Sequence, residues 1–335
     1  MKRTRIEVAQ IAAVDNLSFA AWRAGRGKRT RSEVRLFFEN FDDSIRHLAK
    51  AILQGRMPLG HYKHFYIHDP KKRLIHAACF VDRVFHHALI NYIGPVLDRA
   101  MIASTFACRI GKGNHAAVQQ VQSHIRRYPW YVKIDIDGYF AAIDHQILFD
   151  LLQRRVKGQG VSELLWSVIS SYHMLLGKGL PIGSLTSQHF ANYYLDGVDR
   201  YILAQKNVPA YVRYMDDMIW WCDNKQEAKI SLRRVQQFIE EHRLLKVKET
   251  IQINRSQRGV RYCGYQILPG TLKLTRRRQR RYQQRRKAWE YAYQQGLIDE
   301  QKLQHAYSAV HAIIDQADSL SWRKEHLRRM PAIEM

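Results

Sequence analysis

The segment AYVRYMDDMIWWC, residues 210–222, constrains the fold more than any other stretch of this 335-residue chain. Aromatic and β-branched residues flank Asp216 and Asp217, so the pattern predicts two strands with the acidic pair at the tip of a hairpin. Two carboxylates about 4 Å apart repel by roughly 4 kcal/mol at an effective dielectric near 20. A tip that keeps both ionised gains from a divalent cation, whereas an ordinary exposed Asp-Asp turn needs none. The pair alone leaves both readings open.

A second acidic position lies upstream. YVKIDI (131–136) is a short β-rich run that carries Asp135 at its end, with Asp137 just beyond. A carboxylate at a strand end beside a loop is placed to hold an ion next to a ligand. It also reads as a capping aspartate, and Asp-x-Asp after an apolar strand resembles the metal-binding box of nucleotide-sugar glycosyltransferases. A helix follows, with Ile143, Ile147, Leu148, Leu151 and Leu152 on one side. LPIGSLTSQ (180–188) is a glycine-containing loop that opens a predicted helix over Ser184–Leu203. Its N–H groups suit a phosphate or a base edge, or Ser184 simply caps the helix. Beyond the hairpin come a helix over Lys225–His242 and strands over Lys246–Ile253 and Val260–Leu268. This order predicts an α+β sheet with helices on one face.

Residues 1–60 read as mainly helical. One helix is predicted over Val34–Met57, stopping at Gly55 and Pro58, after the basic loop GRGKRTR (25–31). HYKHFYIHDPKKRLIHAACF (61–80) predicts two strands around an Asp69-Pro70 turn, with Lys71, Lys72 and Arg73 beside it. Such a basic tip suits a polyphosphate or is a solvated turn. A helix over Val81–Leu97 ends near Pro95. From Lys273 to Lys287, nine of fifteen residues are Lys or Arg and none is acidic, which marks a boundary near Gly270.

Lys plus Arg is 54 against 30 Asp plus Glu, a net charge of +24. That excess opposes compaction unless it is spread out or meets an anion. Basic charge combined with 11% aromatic residues favours nucleic acid over an anionic membrane surface. No apolar run of about 18 residues is present to span a membrane. Glu7 and Asp15 interrupt any secretory core, so a cytoplasmic location is expected. Cys79, Cys108, Cys222 and Cys263 form no CxxC pair and are expected to be buried free thiols rather than zinc ligands or disulfides. His61, His64, His68 and His86-His87 lack ligand spacing, and Trp220-Trp221 reads as core.

Taken jointly, a basic hairpin, an Asp strand, a glycine loop opening a helix, an Asp-Asp hairpin and a basic helical end are the parts of a template-directed polymerase. Carboxylates from two strands can hold two metal ions about 3.5–4 Å apart. At this point the sequence resembles a reverse transcriptase: YMDD (214–217) matches the catalytic hairpin, VKIDIDGYFAAIDH (132–145) the first aspartate motif, and RYCGYQI (261–267) the strand pair that grips the primer end. The resemblance runs from about residue 30 to 270. Most reverse transcriptases carry Gln-Gly-x-x-x-Ser-Pro before the helix, where this chain has Ile182-Gly183-Ser184-Leu185-Thr186-Ser187-Gln188. That pattern, with FACRIGKGNHAAV (106–118) and HDPKKRLIHA, resembles the reverse transcriptases of diversity-generating retroelements, relatives of the group II intron and retron enzymes. Those enzymes copy a template-repeat RNA into cDNA with errors concentrated at adenines, together with a small basic accessory variability protein, and the cDNA diversifies a target gene.

The resemblance implies a right-hand polymerase fold. Fingers would occupy 1–130 with part of 146–185, and a palm with a ferredoxin-like antiparallel sheet 131–270. A basic helical thumb would occupy 271–335. It implies that Asp135 and Asp216 ligate two Mg²⁺ ions (Mn²⁺ as a substitute), with Asp217 nearby and the Ile136 carbonyl as a further ligand. Gly138 and Tyr139 would offer N–H groups to the dNTP triphosphate, and Phe140 would exclude a ribose 2′-hydroxyl. Arg73 with Lys71 or Lys72 would bind the triphosphate from the fingers. Ile182, Gly183 and Gln188 would line the nucleotide pocket. Ile182 cannot hydrogen-bond the incoming nucleotide as Gln can, so looser selection is expected. Arg109, Gly264, Arg276, Arg277, Arg278, Arg280, Arg281, Arg285, Arg286 and Lys287 would contact template RNA or the primer/cDNA strand. Some 65 residues after the primer grip leave no room for a thumb plus a nuclease, so template removal is expected from elsewhere. The competing expectations are a retron or group II intron type reverse transcriptase, and an inactive RNA-binding relative.

Overall fold

The computed structural model describes residues 3–57, 59–68, 72–312 and 314–333. The chain opens with β1 (Thr4–Arg5) and helices α1 (Val8–Ile11), α2 (Val14–Gly25), α3 (Ser32–Glu39) and α4 (Phe41–Leu53). The hairpin β2 (Tyr62–His68) and β3 (Lys72–Ala78) follows, then α5 (Phe80–Ala100) and α6 (Asn114–Arg127). The central part runs β4 (Trp130–Ile134), α7 (Tyr139–Ala142), α8 (His145–Gln153), β5 (Val156–Lys157), α9 (Val161–Ser170), α10 (Leu185–Tyr194) and α11 (Asp196–Leu203). It continues with β6 (Ala210–Tyr214), β7 (Asp217–Cys222), α12 (Lys225–Arg243) and β8 (Gln252–Arg255). Strands β9 (Val260–Tyr262), β10 (Tyr265–Ile267) and β11 (Leu272–Leu274) form a second sheet ahead of α13 (Arg276–Gln294), α14 (Glu300–His311) and α15 (Leu320–Arg329).

The antiparallel sheet β6-β7-β4-β8 organises the molecule. Its β-α-β-β-α-β order is the ferredoxin-like arrangement. Along β7 the side chains alternate between two cores. Met218, Trp220 and Cys222 join the cluster formed with α8, α10, α11 and α12, while Ile219 and Trp221 join one formed with α6, β9, β10 and α13. Both faces are therefore covered, not one, because α6 and the second sheet close the side that was expected to be open. This accounts for the nearly unbroken apolar run of β7. Trp220 and Trp221 are both fully buried, as expected of core residues.

Several boundaries differ from the sequence expectation. The helix expected over 34–57 is two, broken at Asn40, whose φ of −113° and ψ of 44° leave the helical region. The helix expected to end near Pro95 runs to Ala100, because Ile93, Val96 and Leu97 are buried and packing overrides the missing hydrogen bond. The helix over 184–203 is interrupted at Leu195. Residues 246–251 form no regular strand. They cross the end of β4 through Asp137 N–H to Lys246 O (2.8 Å) and Lys248 N–H to Asp135 O (2.9 Å). Residues 260–268 form a hairpin, turning at Cys263-Gly264 with φ of 45° and 82°. All four cysteines are free, but only Cys222 is buried; Cys108 lies exposed in a loop at φ 53°. The 61–80 hairpin is present with Tyr62 opposite Ala78, while Asp69, Pro70 and Lys71 lie outside the described residues. Among the described residues no helix is long and apolar enough to cross a membrane.

Candidate active site

The Asp216-Asp217 hairpin is tighter than its sequence suggests. Tyr214 pairs with Asp217, so Met215 and Asp216 alone form the turn and Asp217 begins β7. Two-residue hairpin turns take positive φ, and Met215 supplies it at 58°. On the neighbouring strand Ile134 lies opposite Met218, so one further step of that register brings Asp135 opposite Asp217. The three carboxylates, remote along the chain, thus meet at one end of the sheet.

Their charges are managed in two ways. Burial, and then repulsion from Asp135 within hydrogen-bonding reach, push the Asp216 carboxyl well above the ordinary carboxylate range. Burial pushes Asp217 up to about 6 against the pull of Lys133. Lys133 Nζ lies 3.2 Å from Asp217 Oδ1 and Lys248 Nζ lies 2.9 Å from Asp135 Oδ1. Both oxygens are buried without a well-aligned donor, so the lysines compensate charge rather than complete directional bonds. Among the described residues no set of three or more Asp, Glu, His or Cys side chains forms a ready-made cation cage. A divalent cation nevertheless suits this donor set: hard oxygen ligands, crowded enough to favour protonation, with lone pairs left unsatisfied. Ile136 pairs with Val247 only through bonds made by Asp135 and Asp137, so its own carbonyl takes no part in them.

The residues expected to line a nucleotide pocket lie on α7, the 180–184 loop, α10 and β3. Gly138, in the left-handed region at φ 51°, starts α7 and has open space where a Cβ would stand. Tyr139 is buried with its hydroxyl donating to Ala191 O, and Phe140 packs edge-on against it at 5.7 Å. The Phe140 carbonyl accepts from Leu180 N–H at 2.7 Å, and the Ile182 carbonyl accepts from His76 N–H at 2.9 Å, joining loop 180–184 to both α7 and the β2–β3 hairpin. A Cβ on Gly183 (φ 117°) would stand 2.9 Å from Ile75 Cγ2 and 3.3 Å from His76 O, so no side chain fits there. Gln188 is exposed on α10, beside Cys108 Sγ at 3.7 Å. Lys72 and Arg73 are exposed on β3, with Lys72 Nζ 4.0 Å from the Tyr66 ring centre.

The expected nucleic-acid contacts divide. Arg276, Arg277, Arg280, Arg281, Arg285 and Lys287 are exposed on α13. Arg278 stacks 3.9 Å over Tyr265, above the Gly264 turn, and donates to the Cys263 carbonyl at 3.2 Å. Arg286 is buried and paired with Glu290 at 2.6 Å, and it also donates to the Pro331 carbonyl. Arg109 is likewise turned inward, onto Asp98, Ile102, and Thr105. Both side chains are turned into the fold, Arg109 through bonds from Nε, Nη1 and Nη2 and Arg286 through Nε and Nη2 with its Nη1 buried, so neither guanidinium is presented at the surface. Sequence reading missed Lys133, Lys248 and Tyr262, whose hydroxyl donates to the Asp217 carbonyl at 2.9 Å. The signal for Lys133 was its place two residues before Asp135, on the same face of one strand.

A ferredoxin-like sheet with carboxylates at the end of β4 and on the adjoining hairpin defines the right-hand polymerase fold. The chain belongs to the family described as reverse transcriptase (RNA-dependent DNA polymerase), which matches residues 67–267. It is similar to the group II intron-encoded protein LtrA of Lactococcus lactis, 22% identical over 175 residues, covering 49% of this chain and 29% of the relative. It is also similar to the putative COX1/OXI3 intron 2 protein of Saccharomyces cerevisiae, 29% identical over 94 residues, covering 26% and 11%. The chain therefore spans less than a third of these relatives' length. Among solved structures, apo telomerase from Candida tropicalis, truncated from its C-terminal domain, superposes with a TM-score of 0.50 at 12% identity, covering 65% of this chain and 55% of that one.

Proposed function

We propose that this protein is an RNA-directed DNA polymerase that extends a primer by two-metal-ion nucleotidyl transfer. The meeting of Asp135 with the Asp216-Asp217 hairpin, beside the loop that joins Phe140 to Ile182, carries this reading. When bound, two Mg²⁺ ions (or Mn²⁺) supply Lewis acidity toward the primer 3′-hydroxyl and the triphosphate. Asp135 and Asp216, with the Ile136 carbonyl and Asp217, hold them. Gly138 and Tyr139 offer amides to the triphosphate, Lys72 and Arg73 approach it from the β2–β3 hairpin, and Phe140 excludes a ribose 2′-hydroxyl. Residues 1–130 with part of 146–185 act as fingers, 131–145 and 186–270 as palm, and 271–335 as thumb. The exposed arginines of α13 hold the template–primer duplex.

The subclass reading is a diversity-generating retroelement enzyme, which copies a template-repeat RNA into adenine-mutagenised cDNA with an accessory variability protein. Ile182 supports it, because an apolar side chain stands where a hydrogen-bonding one would discriminate bases. The similarity to a group II intron-encoded protein favours a second reading, a group II type reverse transcriptase.

Primer extension on an RNA template, with Mg²⁺ and dNTPs and with or without the candidate accessory protein, tests these readings. Asp216→Ala/Asp217→Ala is expected to lower the rate by about a hundredfold or more, comparable to removing a principal electrostatic stabiliser. A wild-type protein that extends no primer with either metal refutes the polymerase reading. Product sequences with errors concentrated opposite template adenines support the retroelement subclass, and an even spectrum supports the group II type.

A further inference from the structure

We propose that Arg213 is a positioning residue that sets the catalytic turn by clamping the Met215 carbonyl and tying it to α10. The inference rests on the polymerase reading for what the turn does. Arg213 lies in β6 and is fully buried, an unusual place for a guanidinium. A guanidinium has five N–H donors, and all five are used. Nε donates to Asp199 Oδ1 (2.6 Å) and Nη2 to Asp199 Oδ2 (2.6 Å), a two-pronged ion pair with α11. Nη2 also donates to Asn192 O (2.9 Å), and Nη1 donates to Asn192 Oδ1 (2.8 Å) and to Met215 O (2.9 Å).

The supports of this fork are themselves held. Asp199 is fully buried and accepts from the Tyr211 hydroxyl at 2.6 Å. Asn192 Nδ2 donates to Ala107 O at 2.7 Å. The Arg213 backbone is bonded on both sides to the 104–106 segment.

Stability alone is a poor account of this network, since a buried ion pair often stabilises no better than apolar side chains of similar volume. Orientation is the better account. Met215 holds a positive φ of 58° without being glycine, a conformation that persists only when its surroundings fix it. Its carbonyl precedes the peptide of Asp216, so the clamp fixes where that carboxylate points. Asn192 lies on the helix that grows directly from the 182–184 loop, so one guanidinium spans the metal-side turn and the nucleotide-side helix.

The test uses the 335-residue chain in three forms. Arg213→Met/Asp199→Leu/Tyr211→Phe removes the ion pair, its tyrosine support and the clamp together, without leaving a buried charge unpaired. Arg213→Lys keeps the charge and loses the fork. Asn192→Ala leaves the ion pair intact and decides the matter if the other two do not fold. Circular dichroism and melting establish which are folded. Single-turnover nucleotide addition separates rate from affinity, and Mn²⁺ binding to the protein alone is followed by electron paramagnetic resonance. The folded variants are expected to lose about tenfold to a hundredfold in the nucleotide-addition rate, the scale of a small misplacement of reacting groups. Their dNTP and template–primer affinities should stay near wild type while Mn²⁺ binding weakens. A folded variant with wild-type rate and wild-type Mn²⁺ binding overturns the proposal and leaves Arg213 a purely structural residue. If wild type extends no primer, the polymerase reading fails, while the Mn²⁺ comparison still decides whether Arg213 sets the turn.

Discussion

Two antiparallel hairpins carry charged residues of the candidate site, Asp216 and Asp217 on one and Lys72 and Arg73 on the other, and they are built in opposite ways. β6–β7 lies within a four-stranded sheet, is buried on both faces along most of its length, and closes in a two-residue turn. β2–β3 stands as a two-stranded ribbon whose first strand is exposed at nearly every position. Its anchors are at the base: His76 N–H on Ile182 O, Cys79 N–H on His61 O, and the Tyr62 hydroxyl 3.1 Å from Ser171 Oγ. A lone two-stranded ribbon is marginally stable, whereas strands inside a covered sheet open only with the fold itself. The contrast teaches a division of labour. On the proposed function, Asp216 and Asp217, which would have to meet Asp135 closely, sit on the stiff hairpin, and Lys72 and Arg73, which would follow a flexible polyphosphate, sit on the compliant one.

The largest expected difference is in amide hydrogen exchange. Protection at residues 211–213 and 218–222 should exceed that at 64–67 by about a thousandfold or more, given the span between local and global opening. Equal protection would abolish the contrast. Next, Lys72→Ala/Arg73→Ala should raise the KM for dNTP about tenfold with kcat nearly unchanged, the signature of lost ground-state binding. A fall in kcat alone would place β3 in the chemical step. Ile182→Gln probes the loop on which the β2–β3 hairpin is anchored, and misincorporation opposite template adenine should fall several-fold while fold and rate persist.

The smallest effect is on stability. Asp217 has a folded pKa of about 6, above its ordinary value, so metal-free protein binds protons more tightly folded than unfolded. That contribution is full below the ordinary carboxylate range and is lost as pH rises through about 6. A divalent ion replaces the proton, so the rise in Tm on adding Mg²⁺ should be small at acid pH and grow to a few degrees above neutrality. Melting curves with Mg²⁺ or EDTA across this range check it, and a shift independent of pH would deny the carboxylates a role in metal binding.

The acidic centre was legible in the sequence because a hairpin register turns local order into spatial proximity: once β6 and β7 pair, the tip is defined, and an apolar strand ending in Asp135 has a natural place beside it. The helix through Pro95 was not legible, since burial of Ile93 and Leu97 against distant segments decides it. The internal partners of Arg109 and Arg286, which were expected to contact nucleic acid, were not legible for the same reason. A basic residue shows its charge in a sequence but not the carboxylate or carbonyl that will claim it. Arg213 offered a faint signal, a single charge inside an otherwise apolar strand.

Strand β11 pairs with β10 across the change of composition at Gly270, and Arg278 of α13 rests on the Tyr265 ring. The basic helix is thereby geared to the 260–267 hairpin, and through the Tyr262 hydroxyl to Asp217. On the proposed function, should α13 ride along the product duplex, each sideways swing would tug on the strand that follows the Asp216 turn. Translocation and chemistry would then run on one mechanical linkage, and the grip on the departing helix would keep time with synthesis.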